Sequence, residues 1–124
     1  MQVTLPRRVI ESSVRNVYGD PDKVTADLVD RYYELTLREG NRRALGERFK
    51  QSAGAADESG RIAELKMPAL ILWGGRDRLI VPEDAERFHH DIAGSRVVMF
   101  DDLGHVPQEE DPAKTVAAVK AFID

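Results

Sequence analysis

Asp77 and His105 are the two residues of this chain best placed to do chemistry together. Each follows a short apolar run: Ala69-Leu70-Ile71-Leu72-Trp73 leads into Gly74-Gly75-Arg76-Asp77, and Val97-Val98-Met99-Phe100 leads into Asp101-Asp102-Leu103-Gly104-His105. Open α/β sheets gather their reactive groups just past the carboxyl ends of parallel strands. An acid and a histidine in these positions therefore read as two members of a nucleophile, base and acid triad. In such a triad the histidine takes a proton from a weak nucleophile and returns it to the leaving group, which suits a side chain titrating near pH ~6.5. The acid accepts a hydrogen bond from the other ring nitrogen, holds the tautomer and stabilises the imidazolium. The third member would be Ser, Cys or Asp on a sharp strand-to-helix turn, commonly framed as G-x-S-x-G. Cysteine is absent, and Ser12, Ser13, Ser52, Ser59 and Ser95 all lack the flanking glycine pair.

Each of these residues also has a plain structural reading. Asp77 lies in a turn-like stretch, where aspartate bonds nearby backbone amides whatever else it does. His105 could cap or pack beneath the helix that follows. Asp101 and Asp102 are rival acids, but they precede His105 by four and three residues on the same loop, a poorer position than the end of a neighbouring strand. His89 and His90 fall mid-helix, away from any strand end, and read as a solvated face. Arg76 and Arg78 read as surface charges. No H-x-x-x-H or H-E-x-x-H spacing puts two metal ligands on one helix face, and Gly74-Gly75 is not a phosphate-binding G-x-G-x-x-G, so neither metal nor cofactor is expected.

The elements that must hold Asp77 and His105 change character at Met67-Pro68. Residues 1–66 read as a helical segment. After Pro6, Val9, Ile10, Val14 and Val17 recur at helical spacing until Tyr18-Gly19-Asp20-Pro21 stops them. Thr25 can cap a second helix with Leu28, Val29, Tyr32, Tyr33 and Leu35 on one face, ended by Gly40. Asn41 can cap a third carrying Leu45 and Phe49, giving way to a mobile loop at residues 52–57; residues 61–66 suit one more helical turn. Tyr32, Tyr33 and Phe49 are expected to hold these helices together, with the lining of a pocket as the other option.

Residues 67–124 read as strand, helix, strand, helix. The runs 69–73 and 97–100 are continuously apolar, the pattern of strands covered on both faces. Between them Pro82 and Glu83 open a helix with Ala85, Phe88 and Ile92 on one side, closed by Gly94. That predicts parallel strands joined by a right-handed crossover. A last helix over 112–123 is expected to turn Val116, Val119, Phe122 and Ile123 to the sheet. Two short parallel strands leave apolar edges unpaired, so further strands are expected upstream of Met1 or from another chain, with self-association through the edge as the alternative.

Composition narrows the partners. The 124 residues suit one domain, and a net charge of −4 with dispersed basic residues predicts neither nucleic acid nor an acidic membrane as partner. No apolar stretch approaches the ~20 residues needed to span a bilayer, and the first residues lack the apolar core of a signal peptide, so a cytoplasmic protein is expected.

The stretch from Pro68 to Pro82, followed by Gly104-His105-Val106-Pro107-Gln108-Glu109-Glu110-Asp111-Pro112, resembles the carboxyl-terminal part of α/β-hydrolase-fold enzymes. The match covers about the last 57 residues, and the helical first half is more loosely similar to the cap inserted before the last two strands. The resemblance implies an α/β fold, a small-molecule substrate, Asp77 as the acid after the penultimate strand and His105 as the base after the last. The family's nucleophile elbow, oxyanion-hole loop and first strands are absent from this sequence. The expected activity is hydrolysis of an ester or similar carbonyl compound through a serine. An aspartate nucleophile of the dehalogenase or epoxide-hydrolase kind fits the same residues. The contrasting reading is a non-catalytic or partner-dependent module assembling through its sheet edge.

Overall fold

The computed structural model describes residues 5–54 and 59–124. Three helices come first: α1 (Arg7–Val17), α2 (Ala26–Leu37) and α3 (Asn41–Gly54), with a single 3-10 turn at Pro21–Lys23 between the first two. A second 3-10 segment, Ser59–Glu64, precedes strand β1 (Leu70–Gly74), helix α4 (Glu83–Asp91) and strand β2 (Arg96–Phe100). The one-turn helix α5 (Pro107–Glu110) and helix α6 (Pro112–Ile123) complete the chain.

Local chemistry explains most of these boundaries. Pro6 stands immediately before α1, and the Tyr18 N–H closes the helix on the Val14 carbonyl. Thr25 caps α2 as expected, its hydroxyl accepting the Leu28 N–H at 3.2 Å. Asn41 does not cap α3. It is the first helical residue, and its amide nitrogen reaches back to the Leu35 carbonyl at 2.7 Å, bridging two helix ends across Gly40, which adopts φ +86°. α3 also runs further than the small residues suggested: 52–54 are helical, and the rest of the expected loop lies outside the described residues.

The helical half has its own core, in which Ile10, Val14 and Tyr18 of the first helix and its end pack with Val24 and Val29, ringed by Leu28, Tyr32, Tyr33 and Val106. Phe49, at 68% exposed, and Leu45 lie outside it. The expectation that Phe49 holds the helices together is therefore corrected; α3 meets α2 but turns these side chains to solvent.

β1 and β2 pair in parallel, from Leu70 opposite Arg96 to Gly74 opposite Phe100, and the Arg96 N–H extends the ladder to the Ala69 carbonyl at 2.9 Å. α4 packs on both strands and α6 on β1. The strand interiors are only half-buried, not enclosed, because in a sheet of two every strand is an edge. On α6 the expected facing is also corrected. Thr115 is buried and Phe122 half-buried, whereas Val116, Val119 and Ile123, the last 70% exposed, form a second apolar stripe facing solvent. Among the described residues no helix is long and apolar enough to cross a membrane.

Candidate functional site

Backbone hydrogen bonds hold together the two loops that leave the sheet. Gly75 N–H donates to the Phe100 carbonyl at 2.8 Å and Arg76 N–H to the Leu103 carbonyl at 2.9 Å, so the acid loop and the histidine loop run as one unit. Leu103 is fully buried, and enclosing a leucine side chain contributes about 1.5–3 kcal/mol, which pins the histidine loop two residues before His105.

Three glycines let the backbones come this close. A Cβ on Gly74 would run into the carbonyls of Leu103 and Gly104; one on Gly104 would meet the Val17 carbonyl and the Gly19 nitrogen. One on Gly19 would meet Leu103 and Gly104 backbone atoms at 2.7 Å. β1, the histidine loop and the turn after α1 are thus stacked through Gly74, Gly104 and Gly19, and the His105 N–H donates to the Val17 carbonyl at 2.8 Å.

On this frame Asp77 and His105 meet. Asp77 Oδ2 lies 2.8 Å from His105 Nδ1, with the acid side chain 3% exposed and the ring 33% exposed. The other carboxylate oxygen accepts the N–H groups of Leu79 at 2.8 Å and Ile80 at 3.0 Å. Burial pushes the Asp77 carboxyl up, but the Ile80 N–H, the His105 ring and the Leu79 N–H together outweigh it and hold the group below its ordinary value of 3.8. Asp77 is therefore ionised at neutral pH and is the acceptor for the Nδ1–H of His105, which leaves Nε2 as the ring nitrogen turned away from the acid. A cavity of about 130 Å³ opens beside the pair, lined by Leu72, Trp73, Gly74, Ile80 and Pro107. Among the described residues no serine hydroxyl reaches His105.

The other candidate residues go elsewhere. Asp102 pairs with Lys114 at 2.7 Å and Asp101 is exposed, so neither rival acid reaches the ring. His90 is exposed beside Asp91, and His89, also exposed, bonds the buried Ser95 hydroxyl through Nδ1 at 2.8 Å, just before β2 and so at the opposite strand end from His105. Arg76 is exposed, as read. Arg78 is not simply a surface charge: its guanidinium donates to the Arg15 and Tyr18 carbonyls and ties the acid loop to the end of α1. Among the described residues no three His, Asp or Glu side chains gather as a metal site.

Two neighbouring carboxylates escaped the sequence reading. Glu110 is buried and accepts three backbone N–H groups, and Glu109 accepts the phenols of Tyr32 at 2.8 Å and Tyr18 at 3.3 Å. The only signal was their position five and four residues beyond His105, since acidic side chains there look like an ordinary helix start. Burial first, then the Glu109 charge and hydrogen bond, pushes the Tyr18 phenol up to about 12 and Tyr32 higher still.

A parallel strand pair with an acid after one strand and a histidine after the next defines a class of open α/β enzyme site. The chain belongs to the alpha/beta hydrolase fold family, whose model matches residues 4–112. It is similar to Lipase 3 of Moraxella sp. (strain TA144), at 40% identity over 63 residues, 51% of this chain and 20% of the lipase. It is also similar to the 2-hydroxy-6-oxononadienedioate/2-hydroxy-6-oxononatrienedioate hydrolase of Escherichia coli (strain K12 / DH10B), at 37% over 92 residues, 69% of this chain and 32% of that enzyme. The chain thus spans between a fifth and a third of these curated relatives. Among solved structures, a serine hydrolase involved in carbazole degradation superposes with a TM-score of 0.85 at 21% identity, covering 95% of this chain and 47% of the other. An esterase from Exiguobacterium antarcticum gives 0.77 at 17%, covering 94% and 42%. At these identities the structural likeness establishes the fold.

Proposed function

We propose that this chain supplies the acid and base of a nucleophile, histidine and acid triad, in a hydrolase acting on an ester or another small molecule with a reactive carbonyl. The observation that carries the reading is the 2.8 Å bond from His105 Nδ1 to the buried Asp77, beside a small cavity. His105 Nε2 takes the proton of the nucleophile as it attacks the carbonyl carbon. Asp77 stabilises the resulting imidazolium, and the proton then passes to the leaving group. The nucleophile comes from a segment outside this sequence. Serine is the choice supported by the likeness to the carbazole-degradation enzyme, which is named a serine hydrolase, and an aspartate would redirect the chemistry to alkyl carbon.

The test joins this chain behind a nucleophile-bearing amino-terminal segment of the fold and follows p-nitrophenyl ester hydrolysis. His105→Ala is expected to abolish turnover, and normal rates in that variant would sink the assignment. The exposed stripe of Val116, Val119 and Ile123 favours a second reading, in which the chain is a non-catalytic module that assembles through apolar surface. An active joined polypeptide that stays monomeric in size-exclusion chromatography rejects it.

A further inference from the structure

Glu110 places a carboxyl group where the fold has enclosed it, its side chain 0% exposed. An ion taken from water costs several kcal/mol, roughly, unless donors replace the lost solvent. Here Oε2 accepts the N–H of Gly104 at 2.8 Å and of Gly19 at 2.9 Å, Oε1 accepts the N–H of Asp20 at 2.9 Å, and the Lys23 ammonium lies 3.9 Å away. Two of those N–H groups belong to the turn after α1, and the third belongs to the residue directly before His105. The His105 N–H is itself bonded to Val17, at the start of the same turn. Both peptide N–H groups bracketing the Gly104–His105 link are therefore held by the helical half or by the carboxylate it surrounds.

We propose that Glu110 is a positioning residue for His105: by gathering the N–H groups of Gly104, Gly19 and Asp20 on one buried carboxylate, it keeps the ring in register with Asp77 only while the turn after α1 is seated. The inference rests on His105 being the base. A carboxylate is the group this site requires. Three donors converge on two acceptor oxygens, and a glutamine would aim its NH₂ at an N–H it cannot satisfy. The seating of the helical half is thereby coupled to the readiness of the base.

The test uses Glu110→Gln in the active joined polypeptide, with Glu110→Asp alongside it. Displacement on the order of 1 Å can cost about 100-fold in rate, so kcat is expected to fall about 10- to 100-fold with KM within about twofold. The His105 Nδ1–H proton resonance is expected to broaden or shift as its bond to Asp77 loosens. A folded Glu110→Gln with normal kcat and an unmoved Nδ1–H resonance overturns the proposal, whichever way His105→Ala has come out. If the glutamine variant does not fold, the shorter aspartate, which keeps the charge but cannot reach all three donors, carries the same expectations. If neither folds, amide exchange of the unsubstituted protein decides: Gly19, Asp20, Gly104 and His105 should open together, and Gly104 exchanging independently of Gly19 and Asp20 overturns it.

Discussion

Asp77→Asn asks whether the acid works through its charge and tautomer control or merely as a turn residue. In the native protein Oδ1 accepts two backbone N–H groups, from Leu79 and Ile80, and Oδ2 accepts one ring N–H. An asparagine can keep its oxygen toward the two backbone donors, which places its NH₂ against His105 Nδ1. The flipped amide would keep the ring bond but lose both backbone bonds, each worth about 1 kcal/mol net. The first orientation is thus favoured by roughly 2 kcal/mol, and in it the ring must accept at Nδ1 and carry its proton on Nε2. That tautomer cannot receive the nucleophile's proton. The expected loss in kcat for the joined polypeptide is on the order of 10⁴, with the turn and fold retained. Nitrogen-15 NMR of the ring reports the tautomer directly, and Asp102→Asn serves as the control, expected to stay within about twofold because that carboxylate faces Lys114. An Asp77→Asn protein that keeps more than about a tenth of native kcat, or keeps its ring proton on Nδ1, refutes the reasoning.

Gly104→Ala should destabilise the protein by about 1–3 kcal/mol or more, since its Cβ lands on backbone of Val17 and Gly19 that no rotamer change can clear; chemical denaturation measures it. Because the folded carboxyl of Asp77 titrates below 3.8, its contribution to stability is complete above that value and is lost as pH falls through the folded value, so Asp77→Asn should flatten the acid limb of stability against pH. At the alkaline end the sign reverses: the raised phenols of Tyr18 and Tyr32 contribute stability that is whole below pH 10 and fades as pH climbs toward 12, which Tyr18→Phe should lessen in a melting series.

The strands, the crossover helix and the acid and histidine pair were legible because each rests on local pattern. Continuous apolar runs of strand length mark β1 and β2, Pro82 and Gly94 bracket α4, and a residue just past each strand inherits a fixed place in space. What escaped notice depends on contacts between segments far apart in sequence. Arg78 looks like any surface arginine until the end of α1 offers it two carbonyls. Glu110 looks like a helix-start acid until Gly19 and Asp20 arrive some ninety residues away in the chain. The facing of α6 failed for a related reason: Val116, Val119 and Ile123 form one apolar stripe and Thr115, Ala118 and Phe122 a second, less conspicuous one, and the spacing alone does not say which of them this sheet takes.

Trp73 is the sole tryptophan of the sequence and lies next to the end of β1 on the wall of the cavity that holds Asp77 and His105, its ring 6.0 Å from Phe88. Its indole N–H is buried without an acceptor among the described residues. Within these 124 residues, light emitted on indole excitation therefore originates at the cavity, so the chain carries its own optical gauge of that space. Entry of a small molecule, or a shift of the ring beside it, can be timed in a stopped-flow instrument without attaching a dye.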